Sequence, residues 1–70
     1  MTDRLINRLK EKRTSLELTQ AELADRVGVS RKTINTVENG VFVPSTILAL
    51  KLAEVLGSPV ESLFKLGEKG

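Results

Sequence analysis

Apolar residues recur along this chain at intervals of three and four, the spacing of one face of an α-helix. Leu5, Ile6 and Leu9 fall on one such face among charged residues, which predicts a first helix over residues 3–15. Leu23, Ala24 and Val27 predict a second helix, and Ile34 with Val37 a third. Ile47, Leu48, Leu50, Leu52, Ala53, Val55 and Leu56 are the apolar positions of a fourth. A short fifth helix buries Leu63, with Phe64 and Leu66 as further candidates. The β-branched residues sit at helical rather than alternating spacing, so the pattern predicts no strand.

The boundaries carry their own signals. Thr19 precedes Gln20, Ala21 and Glu22, a capping box in which the threonine oxygen takes an orphan amide and the glutamate reaches back. Gly28 ends that helix, where a left-handed residue costs least. Ser30 caps the third helix, which runs over 31–39 and stops at Gly40. Pro44 and Ser45 open the fourth, and Gly57 closes it. Ser58-Pro59-Val60-Glu61 reads as a second capping box, with proline at the first helical position. The expected architecture is all-α, five helices in one domain spanning residues 1–70.

Composition narrows the function. The 70 residues are 40% hydrophobic and 29% charged, which suits a packed domain and is too apolar for a disordered one. There is no cysteine and no histidine, so disulfides, thiolate metal sites and the commonest general base are all excluded. No glycine-rich phosphate loop or pair of carboxylates in a plausible pocket is seen either, and neither an enzyme nor a cofactor or metal is expected. No apolar run is long enough to span a bilayer, and the charged N-terminus lacks the apolar core of a signal peptide, so the expected location is the cytoplasm. The formal net charge is +2, which permits nucleic-acid binding without requiring it. So short a chain needs either very efficient packing or a partner subunit to complete its core.

The segment from Gln20 to Val37 is the most informative. Two short helices are joined through Gly28-Val29-Ser30, and a near-perpendicular crossing after so few residues makes several demands together. Ala24 supplies the small residue at the crossing, Gly28 takes the turn and Val29 plugs it. Ile34 and Val37 bury the second helix against the first, and Ser30 starts it. Any one of these is weak evidence; together, at fixed spacing, they specify a helix-turn-helix.

The run TQAELADRVGVSRKTINTVENG resembles the Cro/phage-repressor type of helix-turn-helix, the XRE family, whose fold is the five-helix, lambda-repressor-like DNA-binding domain. The resemblance continues through PSTILALKLAEVLG and SPVESLF, and NGVFVPS resembles the NGxYxPS connection of short, stand-alone members. It implies a transcriptional regulator, a repressor by expectation, that binds double-stranded operator DNA as a homodimer and needs no small-molecule effector. Within it, the helix over 31–39 is the recognition helix. Arg31, Lys32 and Thr36 stand where members read base edges, with Asn35 at the groove edge. Thr19 and Gln20 stand where members clamp a phosphate, at a helix end that offers free amides and a positive dipole. Ser30 and Asn39 are assigned further backbone contacts. Arg13 and Glu38 match a structural ion pair tying the first helix to the third.

Two departures from the family pattern stand out. Glu17 occupies the position before the LTQ phrase where members place glycine or asparagine, so a left-handed conformation there carries strain. Val41-Phe42-Val43 follows the recognition helix where many phage members carry phosphate-gripping lysine and arginine.

Alternatives remain at several residues. Arg31 and Lys32 also fit a solvated surface, and Phe42 fits either a plug over its loop or a binding anchor. Val60, Leu63 and Phe64 are assigned to a dimer contact, with the Val41-Phe42-Val43 loop as a further candidate, although Leu63 and Phe64 fit an intrachain core as well. An antitoxin of a toxin–antitoxin pair, or a protein-interaction module that has lost DNA binding, are the rival functions.

Overall fold

A computed structural model describes residues 5–67. In chain order the elements are β1 (Leu5–Asn7), α1 (Leu9–Ser15), α2 (Gln20–Val27), α3 (Arg31–Glu38), α4 (Thr46–Leu56), α5 (Val60–Leu63) and β2 (Phe64–Leu66). The five helices fall in the expected order, but the domain is not strictly all-α. β1 and β2 form a two-stranded antiparallel sheet, with Leu5 opposite Leu66, Ile6 opposite Lys65 and Asn7 opposite Phe64.

This pairing corrects both ends of the helical reading. The first helix starts at Leu9 rather than at residue 3, and Leu5 and Ile6 lie on a strand; Asp3 and Arg4 lie outside the described residues. Asn7 makes the break. Its Oδ1 accepts the Leu9 amide at 2.9 Å, and its Nδ2 donates to the Val37 carbonyl. The Arg8 amide donates to the Leu63 carbonyl at 2.8 Å. Those bonds to distant residues replace the local helical ones that the 3.6-residue period suggested. At the other end, Phe64 is extended (φ −135°, ψ 139°), so Phe64 and Leu66 leave the fifth helix for β2.

The second capping box does not form. Pro59 is itself the N-cap of α5, with no side-chain cap, because the Ser58 amide turns back to close α4 on the Ala53 carbonyl at 3.0 Å. The Thr19–Glu22 box does form: the Glu22 amide donates to Thr19 Oγ1 at 3.0 Å, and the Thr19 amide donates to Glu22 Oε1 at 2.8 Å. The backbone bond from Thr19, and then its hydroxyl, hold the Glu22 carboxyl below its ordinary pKa, with Arg26 adding a smaller attraction.

Leu9, Leu23, Ile34, Val37, Leu52 and Leu63 are the fully enclosed centre of the core. Ala24, Val27, Leu48, Ala53, Leu56 and Phe64 surround them. Helix α4 therefore buries one face and exposes another. Ile47 (69% exposed) and Leu50 (56%) point away from the core. A helix apolar on most sides does not reveal from its sequence which side packs inward.

Candidate nucleic-acid interface

The geometry of the interface starts at the junction of α2 and α3. Gly28 ends α2 in the left-handed conformation (φ 86°), with its amide and that of Val29 both donating to the Ala24 carbonyl, at 2.8 and 3.0 Å. Two residues later Ser30 begins α3: its Oγ accepts the Thr33 amide at 3.2 Å. Ala24, Ile34 and Val37 are buried between the helices, and Val29 packs against their edge. The turn is thus fixed from inside, and the outer side of α3 is left bare. Arg31 and Lys32 are exposed on its first turn; Asn35 and Thr36 are half-buried one turn on.

Arg13 braces this arrangement from α1. Its Nε donates to Glu38 Oε2 at 2.6 Å, its Nη2 to Glu38 Oε1 at 3.2 Å, and its Nη1 to the Leu18 carbonyl at 2.6 Å. The two side chains are 9% and 2% exposed, so the pair is internal. The polar contacts continue outward. Gln20 Nε2 donates to Glu38 Oε1 at 3.0 Å, Asn35 Nδ2 to Gln20 Oε1 at 3.4 Å, and Asn39 Nδ2 to Asn35 Oδ1 at 3.1 Å. Sequence reasoning had assigned Gln20, Asn35 and Asn39 to DNA singly and missed that they join one another. The signal was the shared amide chemistry of three residues near one buried carboxylate, but only the crossing of α2 and α3 brings them together.

Apart from Asn35 and Asn39, which line neither, the candidate DNA-contact residues divide between two clefts. Arg13, Glu17, Thr19, Gln20 and Arg31 are among those lining an open cleft of about 630 Å³ at the N-terminus of α2. The first-turn amides of a helix have no carbonyl four residues back. Thr19 satisfies that of Glu22, which leaves those of Gln20 and Ala21 at the cleft, beside the exposed Arg31. This is the chemistry of an anion site. Lys32 and Thr36 instead line a second concavity with Ser30, Thr33, Val41 and Phe42. Of the residues assigned to a dimer contact, Leu63 (1% exposed) and Phe64 (7%) are buried in the core of their own chain; Val60 is half-buried.

Glu17 adopts the left-handed conformation (φ 60°) in the turn after α1. For a residue with a Cβ this costs about 1 kcal/mol. Glu17→Gly is expected to raise the melting temperature by about 4–8 °C, the shift that 1 kcal/mol gives a domain of this size. It also removes a negative charge from the cleft, so affinity should rise for all duplexes alike. A thermal melt no higher than that of the parent chain would contradict the strain argument.

Two short helices joined by a tight turn, the second with a bare polar face beside a helix end whose first amides stand free, have the form of a helix-turn-helix. The helix-turn-helix family profile matches residues 9–63, and the chain belongs to that family, to its XRE/Cro-like transcriptional regulators. It is 49% identical over 63 residues to an uncharacterised HTH-type transcriptional regulator of Methanothermobacter thermautotrophicus, covering 89% of this chain and 91% of that one. It is 38% identical over 63 residues to the HTH-type transcriptional regulator YgzD of Bacillus subtilis, covering 90% and 96%. Its fold is similar to the crystal structure of the restriction-modification controller protein C.AhdI from Aeromonas hydrophila, with a TM-score of 0.77, 38% identity and coverage of 81% and 86%. Among the described residues, no helix is long and apolar enough to cross a membrane.

Proposed function

We propose that the chain is a cytoplasmic repressor that binds a palindromic operator as a homodimer. The observation that carries this reading is the outer face of α3, where Arg31 and Lys32 stand exposed on a helix whose inner face is locked by Ile34 and Val37. In the complex, Arg31, Lys32, Asn35 and Thr36 reach base edges in the major groove. Thr19, Gln20, Ser30 and Asn39 hold the flanking phosphates, with the Gln20 and Ala21 amides assisting. Repression follows from occupancy alone, without a small-molecule effector.

A single domain of this size makes a small interface with DNA, so useful affinity calls for two copies. An apolar groove of about 230 Å³ supports the pairing. It is lined by Leu5, Val43, Pro44, Leu50 and Val60 among others. Leu66 (70% exposed) and Ile47 (69%) add apolar surface outside the groove. A two-fold interface brings one patch against itself and favours an apolar centre. With Leu63 enclosed in the core, this groove is the proposed contact; Val60 and the edge of Phe64, which both line it, are retained.

Leu50→Lys tests it, since Leu50 is 56% exposed and its loss does not open the core. Sedimentation across a concentration series should give a dimer for the parent chain and a monomer for the variant. The variant should also bind a palindromic duplex with lower affinity and with the cooperativity lost. A variant that dimerises as well as its parent would exclude this surface. The likeness to C.AhdI favours one more specific role, control of a restriction–modification system, which restriction and methyltransferase genes beside this one would support.

A further inference from the structure

We propose that Val41 and Phe42 form an apolar lip that recognises the 5-methyl group of a thymine beside the base pairs faced by Lys32 and Thr36. The inference rests on the DNA-binding reading and assigns this loop a role in specificity.

The loop is exposed but held. Gly40 turns the chain (φ 75°), and the amides of Val41 and Phe42 both donate to the Thr36 carbonyl, at 3.0 and 3.2 Å. Its backbone is therefore anchored to the last turn of α3. Val41 is 78% exposed and Phe42 46%, although the sequence contains only two aromatic residues and the other, Phe64, is buried. Phe42 is thus not a plug over its own loop.

The concavity between this lip and α3 has a volume of about 280 Å³ and is walled by Ser30, Lys32, Thr33, Thr36, Val41 and Phe42. It is less polar than those names suggest. Thr36 Oγ1 donates to the Thr33 carbonyl at 3.0 Å, and the Thr33 hydroxyl lies 3.0 Å from that of Ser30. The hydroxyls are thus engaged within the chain. Lys32 supplies the one charge of the wall.

The occupant follows from continuity with the recognition face. Among the groups that base pairs present in the major groove, the apolar one is the methyl of thymine, on A·T pairs alone. Deoxyribose also offers carbon, but it lies along the backbone, whereas this concavity shares Lys32 and Thr36 with the base-reading side. The lip also compensates for the missing basic residues: the loop contributes sequence preference in place of phosphate affinity.

The test uses the tightest duplex selected from a random library. Each thymine is replaced in turn by deoxyuridine, which removes only the methyl group, and affinity is measured for the parent chain, Phe42→Ala and Val41→Ala. One thymine in each half-site should be sensitive, with parent binding about fourfold weaker per methyl removed, the factor that burial of one such group confers. Both variants should lose that sensitivity while keeping their helical circular dichroism; Val41 is exposed enough that its variant should fold even if that of Phe42 does not. Four results would overturn the inference: a half-site without thymine, a parent chain indifferent to every thymine methyl, a sensitivity unchanged in the variants, or a Phe42→Ala chain weakened equally on all duplexes. A parent chain that selects a site yet ignores the methyl groups refutes this inference alone. One that binds no duplex refutes the reading of function with it.

Discussion

Arg13→Ala is expected to leave most of the chain unfolded at 25 °C. The Glu38 side chain is 2% exposed and receives two of its hydrogen bonds from the Arg13 guanidinium. Without Arg13, only Gln20 Nε2 still donates to that carboxylate among the described residues. Removing one partner of a buried ion pair costs about 3–5 kcal/mol, because the other charge is left without compensation. A hydrophobic core in a chain this short rarely supplies more than about 3–5 kcal/mol in total. The Arg13 Nη1 bond to the Leu18 carbonyl is lost as well, and with it a tie across the turn into α2. Urea titration followed by circular dichroism measures the loss. Replacing both partners, Arg13→Met with Glu38→Leu, should recover most of the stability, since no buried charge then remains. A loss below about 1 kcal/mol for Arg13→Ala would mean that the pair is solvated and does not brace the two helices.

Arg31→Ala should lower affinity for the best operator by about 1–3 kcal/mol per half-site, the value of a bidentate guanine contact, and relax preference at one base pair. The fold should survive, because Arg31 is exposed and caps nothing. Its position makes the experiment decisive. Arg31 lines the cleft at the N-terminus of α2 with Thr19 and Gln20, whereas Lys32 faces the neighbouring concavity. An arginine there reaches either a base edge or a phosphate. Comparing the best site with its single-base variants separates the two: a phosphate contact weakens every duplex equally, and that result would move Arg31 to the backbone set.

Much of the recognition unit was legible in the sequence because its determinants are local. Thr19 and Glu22 are three residues apart, Gly28 and Ser30 flank one turn, and the spacing of Leu23, Ala24, Val27, Ile34 and Val37 lies within single helices. The small sheet was not legible. Two three-residue strands are too short to show alternation, and their pairing joins Leu5 to Leu66 across nearly the whole described chain. Leu5, Ile6 and Leu9 satisfy a helical period equally well until Asn7 is seen to bond both the Leu9 amide and the Val37 carbonyl. The same non-locality hid the row of amide contacts from Glu38 through Gln20 and Asn35 to Asn39. The burial of Leu63, with Phe64 as a candidate, was legible in the sequence; that Phe64 reaches the core from β2 rather than from the fifth helix was not.

The central claim is that the outer face of α3 reads base edges in duplex DNA from a two-fold dimer. Selection of bound duplexes from a random library tests it most directly. The account predicts enriched sites made of two inverted half-sites, their centres about 34–36 Å apart, one helical turn of DNA. Enrichment of a single half-site with no inverted partner would contradict the dimer, and recovery of unselected sequence would contradict base reading by α3.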